Sequence, residues 1–307
     1  MIATFFKKSS VFSYLLSLAL LAVVVYGQGE TGPSFIRINT EKSTALFLLS
    51  LCLLAVDWTV KKQYWAKQAN FHLLFFPLFV FALPLGNWNN WMLVFLFFVW
   101  IAFTYLVALD QSTGNISKVF NAFFFFFSGS LFFPQGIILL PLLWWIMGVK
   151  GAFNPSTFLV SIVPVAALFL LEVVILYFFP EGTLIPEIDL SAISFSHPLQ
   201  ALFRLNLWWI IFLLLFFFSL FKHYVDMGSK SASYGAGMIG LFVMTIVAIL
   251  FGLAFQKQSH FAWVFFLMPL TALSTRLFEE IHRSWLRELI VLVIVALVFF
   301  GKFGFPA

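Results

Sequence analysis

Apolar residues fall in eleven runs along the 307-residue chain, and the charges collect in the short polar stretches between them. The runs cover residues 11–27, 43–60, 71–85, 91–109, 119–133, 136–149, 156–179, 205–221, 235–254, 261–274 and 285–302. A helix that crosses a bilayer needs about 20 predominantly apolar residues, with about 17 to 25 usual. The pattern predicts an all-α fold: a polytopic transmembrane helix bundle of about eleven spans, forming one integral-membrane domain over residues 1–307. The third, fifth, sixth and tenth runs are short, which predicts spans that tilt little, thin the bilayer or are partly re-entrant.

The span count turns on residues 119–149, which are apolar almost throughout and would extend about 46 Å as one helix. Phe132-Phe133-Pro134-Gln135-Gly136 interrupts them, and proline followed closely by glycine is a turn signal. Two spans joined by a tight hairpin are expected there. The cations support this. With the N-terminus inside, Lys7, Lys8, Lys61, Lys62, Lys67, Lys118, Lys150, Lys222, Lys230, Arg276, Arg283 and Arg287 lie at cytoplasmic ends. Arg37, Lys42, Arg204, Lys257 and Lys302 lie on the opposite side. This is the excess of cytoplasmic Lys and Arg that membrane insertion favours. One continuous span at 119–149 would move every cation from Lys150 onward across the membrane and erase the bias. The expected topology is N-terminus cytoplasmic, C-terminus extracytoplasmic.

Composition adds that lipid is the solvent for most of the chain: 63% of the residues are apolar and 9% charged, against roughly 25% charged in soluble domains. Ten of the 11 tryptophans sit at or near a predicted span end, where an amphipathic ring is favoured, and only Trp100 falls mid-span. The 45 phenylalanines, including Phe123–Phe127, read as packing and lipid-facing bulk. The net charge of +5 comes from scattered span-end cations with no basic arm or stripe, so nucleic acid is not an expected partner. The single Cys52 lies in an apolar run and the five histidines are far apart, so no metal or cofactor is expected. Lys7 and Lys8 before an apolar run imitate a secretory signal, but Val23-Val24-Val25-Tyr26-Gly27 offers no small-residue cleavage site. That run is expected to be retained as the first span.

Glu172 stands out among the candidate functional residues. It lies well inside the seventh run, about 10 Å below its outer end, and Leu168, Phe169, Ile175 and Leu176 one turn away are all apolar. An ionisable group at such depth is costly and marks a functional candidate. A proton or ion relay, a contact to a cationic substrate, an ion pair with a partner subunit, and a neutral glutamic acid bonded across helices all fit. The outer loop 180–204 carries Glu181, Glu187, Asp189, His197 and Arg204; Glu187 and Asp189 are spaced to share a divalent cation or to act as an acid–base pair, although acidic outer loops are ordinary. The first outer loop, 28–42, holds Glu30, Arg37, Glu41 and Lys42. Asp57 and Lys61 have the i,i+4 spacing of an interfacial ion pair. Glu279, Glu280, His282, Arg283, Arg287 and Glu288 read as a compact inner loop of both signs, a solvated connector or a docking point for a cytoplasmic partner. Ser233/Gly237 and Ala236/Gly240 have the small-xxx-small spacing that permits close helix contact, within the chain or between subunits. Pro164 and Pro269 are expected to kink their spans.

Several short motifs carry a resemblance. Met1-Ile-Ala-Thr-Phe-Phe-Lys-Lys-Ser-Ser10, Lys118-Val-Phe-Asn-Ala122, the stretch from Leu131-Phe-Phe-Pro134 to Leu142-Leu-Trp-Trp145, Pro269, and Trp285-Leu-Arg-Glu288 resemble a family of multi-spanning inner-membrane proteins of Bacteroidota whose activity is not assigned. The hairpin around the Pro/Gly turn is also distantly similar to the GT-C glycosyltransferases, which use polyprenyl-phosphate sugars. That likeness implies an acidic catalytic residue in the first outer loop. Glu30 or Glu41 would match it, with Glu187 or Asp189 as other candidate bases and Arg37 or Arg204 meeting the phosphate of a polyprenyl-linked lipid. Three functions follow as expectations: a non-catalytic inner-membrane subunit or scaffold of an envelope-biogenesis or export complex, alongside other membrane subunits; a GT-C-like transferase on the outer face; or a proton-coupled transporter or lipid flippase using Glu172.

Overall fold

A computed structural model of the chain describes residue 6 and residues 11–27, 40–63, 70–83, 89–109, 115–178, 207–226, 232–255, 264–281 and 283–303. Among these residues the chain is all-α: α1 Val11–Gly27, α2 Thr40–Lys62, α3 His72–Ala82, α4 Asn90–Val107, α5 Asn115–Ser130, α6 Leu140–Val149, α7 Pro155–Phe178, α8 Leu207–Asp226, α9 Ala232–Phe255, α10 Val264–Glu280 and α11 Ser284–Phe303. A 3-10 segment, Pro134–Leu139, leads into α6. Among the described residues, four helical stretches are long and apolar enough to cross a membrane: Thr40–Lys62, Asn90–Val107, Pro155–Phe178 and Gly235–Leu253. Val11–Gly27, His72–Ala82 and Pro134–Val149 are shorter apolar helices.

The break at Pro134 is a chain reversal. The amide of Phe132 bonds to the Gly129 carbonyl and that of Gly136 to Phe133, closing the turn. The Phe123 ring on α5 consequently returns to within 6.5 Å of Trp144 on α6, centroid to centroid. A straight helix would hold those residues about 30 Å apart. Gly136 is required there because a Cβ would enter the ring of Phe95 on α4.

The next reversal is set by local chemistry. Gly151 ends α6 in the left-handed conformation, φ 66°. The amides of Ala152 and Gly151 bond back to Met147 and Gly148, the pairing that satisfies the last carbonyls of a helix. Pro155 then opens α7 at a position where its missing N–H costs nothing. Asn154 Oδ1 accepts the Thr157 amide at 2.9 Å, and Thr157 Oγ1 accepts the Asn154 amide at 3.0 Å.

Helix α10 is the axis of the bundle. It packs on α2, α3, α4, α8 and α9, and every residue from Val264 to Phe278 is buried. A helix apolar on all sides belongs in the interior. At one end Phe265 meets Phe95, Phe133 and Phe251; near the other, Phe278 meets Phe71 and Phe75. Helices α7 and α10 both continue through their prolines, Pro164 and Pro269. Helix α7 is peripheral: it packs on α5 and turns most of its apolar circumference outward.

One expectation is corrected. Glu279 and Glu280 are not in a solvated connector: they form the last turn of α10, while Arg287 and Glu288 lie within α11, Arg283 lies between the two helices, and His282 is outside the described residues. The helix continues past residue 274 because Arg276 sits three and four residues before Glu279 and Glu280, so its own partners extend it.

Candidate functional site

Among the described residues, two polar centres arise where helix ends meet. The first joins α1, α2 and α3. Its foundation is the expected Asp57–Lys61 pair, one turn apart on α2, with Lys61 Nζ 2.7 Å from Asp57 Oδ1. Two further side chains complete it. His72, in the first turn of α3, donates from Nε2 to Asp57 Oδ1 at 2.7 Å. Tyr14, on α1, donates to Asp57 Oδ2 at 3.0 Å and accepts from Lys61 Nζ at 2.6 Å. Exposure falls steeply along the chain of contacts: the side chains of Lys61, Asp57 and His72 are 44%, 14% and 0% exposed. The Asp57 carboxylate fixes the imidazole so that Nε2 carries the proton. Nδ1 is buried, and among the described residues it has no hydrogen-bond partner; nor has the buried Nδ2 of Asn70 nearby in sequence.

The second centre is the end of α10. Arg276 binds Glu280 and lies 3.7 Å from Glu279, while Lys222 of α8 approaches Glu280 at 3.9 Å. Arg276 is 9% exposed, so the pairing compensates a guanidinium held largely out of water.

Both centres lie at one end of the bundle. That end collects the close of α2, the opening of α3, the close of α10 and the close of α8. It also holds Lys118 at the start of α5, which caps the Ala108 carbonyl beyond α4 at 2.7 Å. At the other end, Tyr26 bonds Ser43 and Asn90 donates to the Glu41 carbonyl, joining the close of α1 to the openings of α2 and α4.

Glu172 is 7% exposed. It shares one narrow stripe of α7 with Thr157, Ser161 and Pro164, which are buried as well, while Phe169, Leu170, Leu171, Val173 and Val174 around it are exposed. Trp144 on α6 donates to Ser161 Oγ at 3.1 Å, fixing the direction of this stripe towards the bundle. Glu172 therefore belongs to the inward side of a peripheral helix. Glu41 is exposed in the first turn of α2. Glu30, Arg37, Glu187, Asp189 and Arg204 lie outside the described residues. Ser233 lies in the first turn of α9; Gly237 is buried, and Gly240 faces Phe103 and Val107 of α4 and Ile146 of α6, an internal contact.

Sequence spacing exposed Asp57–Lys61 but not His72 or Tyr14, which arrive from other helices with no local signal. Among the described residues no three His, Cys, Asp or Glu side chains converge as metal ligands. No family model, curated protein or solved structure matches the chain.

Proposed function

We propose that the chain is a multi-pass protein of the bacterial inner membrane, with eleven crossings and a cytoplasmic N-terminus, serving as a non-catalytic subunit or scaffold of an envelope-biogenesis or export assembly. The observation that carries this reading is how the interior polar groups are used. Tyr14, Asp57, Lys61 and His72 tie α1, α2 and α3 together. Thr59 meets Thr104 at 2.6 Å and Trp100 donates to the Ala55 carbonyl, tying α2 to α4. Ser17 donates to the Leu73 carbonyl and Trp144 to Ser161. In lipid such bonds hold helices together, because apolar contact alone gives little drive for association. The eleven-crossing topology is supported by the reversal at Pro134 and by the gathering of Lys61, Lys62, Lys118, Lys222 and Arg276 at one end.

The test uses cells expressing the tagged chain at its native level, cross-linked before extraction in mild detergent. The expected result is a particle larger than the single chain, with the same partner proteins in fixed ratio. A chain that is strictly alone after cross-linking rejects the reading.

The inward placement of Glu172 favours a second reading, a proton-coupled carrier. A carboxylate on the inner face of an otherwise lipid-facing helix is where such coupling is found. In proteoliposomes with an entrapped pH dye and an imposed pH gradient, the wild-type chain should pass protons. Glu172→Gln should abolish the flux while melting stays unchanged, and full flux in that variant rejects this reading.

A further inference from the structure

A file of rings climbs the outside of the bundle along α2, α4 and α5. Trp91, Phe132, Phe98, Phe125 and Tyr105 follow one another at centroid separations of 5.7, 6.2, 6.0 and 5.9 Å. Their planes are nearly parallel, with successive angles of 12°, 6°, 24° and 10°. Trp58 meets Tyr105 edge-on at 6.1 Å, and the ammonium of Lys62 lies over both rings, at 4.4 and 5.3 Å. Trp91, Phe98 and Tyr105 recur every seven residues, on one face of α4, and the next segment supplies the rings between them. This regularity differs from core packing. Phe95 and Phe126 fill the interior completely, whereas Trp91, Phe132 and Trp58 are exposed and Phe98, Phe125 and Tyr105 keep part of their surface open.

The strip is polarised. From Trp91 to Tyr105 it extends about 21 Å along α4, most of the thickness of a hydrocarbon core of about 30 Å. Among the described residues its one cation, Lys62, stands at the end shared with Lys61 and Lys118. Lys61 is neutralised by Asp57; Lys62 has no carboxylate partner among the described residues, and cation–π contact holds its charge in place without cancelling it. A flat apolar strip ending in a fixed positive charge at the interface complements one kind of molecule: an amphiphile with a long chain and an anionic head. We propose that this ladder binds an anionic phospholipid of the cytoplasmic leaflet, its phosphate on Lys62 and one acyl chain along the rings. A partner helix would be a poorer fit, since its backbone and side chains would have to supply a carboxylate at the height of Lys62.

The proposal rests on the membrane reading, which single-cysteine labelling tests separately, so the two can fail independently. The experiment is native mass spectrometry of the full chain released from nanodiscs holding equal parts phosphatidylglycerol and phosphatidylcholine. Wild type should retain phosphatidylglycerol preferentially. Lys62→Gln should lower that retention about fivefold, as loss of one interfacial cation implies, with no change in melting; Lys62→Arg should keep it. Phe98→Leu, which leaves the charge intact, should lower retention of both lipids. A photo-crosslinking amino acid at Phe98 should capture lipid in cells. Equal retention of the two lipids, undiminished binding in Lys62→Gln, or a protein adduct at Phe98 would each overturn the proposal.

Discussion

At the residue scale, two glycines twelve positions apart, one in the turn before α6 and one near its end, differ sharply in what surrounds them. A Cβ on Gly136 would enter the Phe95 ring, whereas a Cβ on Gly148 would meet nothing within 4 Å. Overpacking a filled site costs about 1–3 kcal/mol, so Gly136→Ala should melt well below wild type in a detergent thermal scan. Gly148→Ala, inside a helix with open space around it, should match wild type or exceed it. Equal melting of the two would show that the turn does not press on α4. The Asp57–His72 pair gives a second prediction at this scale. Asp57→Ala strips the imidazole of its one acceptor among the described residues while leaving it buried, and an unsatisfied buried polar group costs about 1–3 kcal/mol. His72→Leu on the same background should recover part of that loss, because the orphaned group is then gone. A double variant no more stable than Asp57→Ala alone would deny the pair its role in holding α3 to α2.

These residues also show how far a sequence can be read. Asp57 and Lys61 were legible because an i,i+4 pair is local. Their link to His72 was not, because it depends on α3 returning antiparallel beside α2, and fifteen positions of sequence carry no trace of that. Arg276, Glu279 and Glu280 misled for a related reason. A charge ordinarily marks the end of an apolar helix, but Arg276 paired with Glu279 and Glu280 at i+3 and i+4, with Lys222 supplying the second cation, can close a helix from within. Glu172 was visible as an anomaly, while the side of α7 it occupies needed the burial of its neighbours. The outer-loop candidates Glu30, Arg37, Glu187, Asp189 and Arg204 lie outside the described residues.

At the scale of elements, the apolar runs mapped onto helices because length and hydropathy decide helix formation in lipid, where every backbone group must be bonded within its own segment. The reversal between α5 and α6 is the element on which the topology depends, and it can be checked directly. The sole cysteine, Cys52, is buried, so a Cys52→Ala chain can carry single reporters. Ser117 and Gly151 are exposed at the two ends flanking this hairpin, and Gln135 lies in its turn. A membrane-impermeant maleimide should label Gln135→Cys in intact spheroplasts. Ser117→Cys and Gly151→Cys should be labelled only after permeabilisation. Labelling at Gly151 with protection at Ser117 would mean that 119–149 crosses once, and the side of every later helix would invert.

At the scale of the molecule, α10 concentrates the dependence of the whole bundle in one element. Its neighbours α2, α3, α4, α8 and α9 come from both halves of the chain, so displacing it disturbs contacts that no single hairpin could restore. Ala272, at its centre, is fully buried, and a larger side chain there has no lipid-facing direction in which to escape. Val165 on α7 is exposed among other apolar side chains, and the same enlargement there adds only surface for lipid to cover. Ala272→Leu should therefore lower the yield of folded, monodisperse protein severely, with overpacking of about 1–3 kcal/mol as a minimum. Val165→Leu should behave as wild type in size-exclusion chromatography and melting. If the two variants behaved alike, α10 would be a replaceable strut and the two halves of the chain would be held by other contacts. If they separate as expected, the outward face of α7 can be altered without endangering the bundle, whereas Glu172 on its inward side is buried, and it is the unchanged melting of Glu172→Gln that assigns a loss of proton flux to its chemistry.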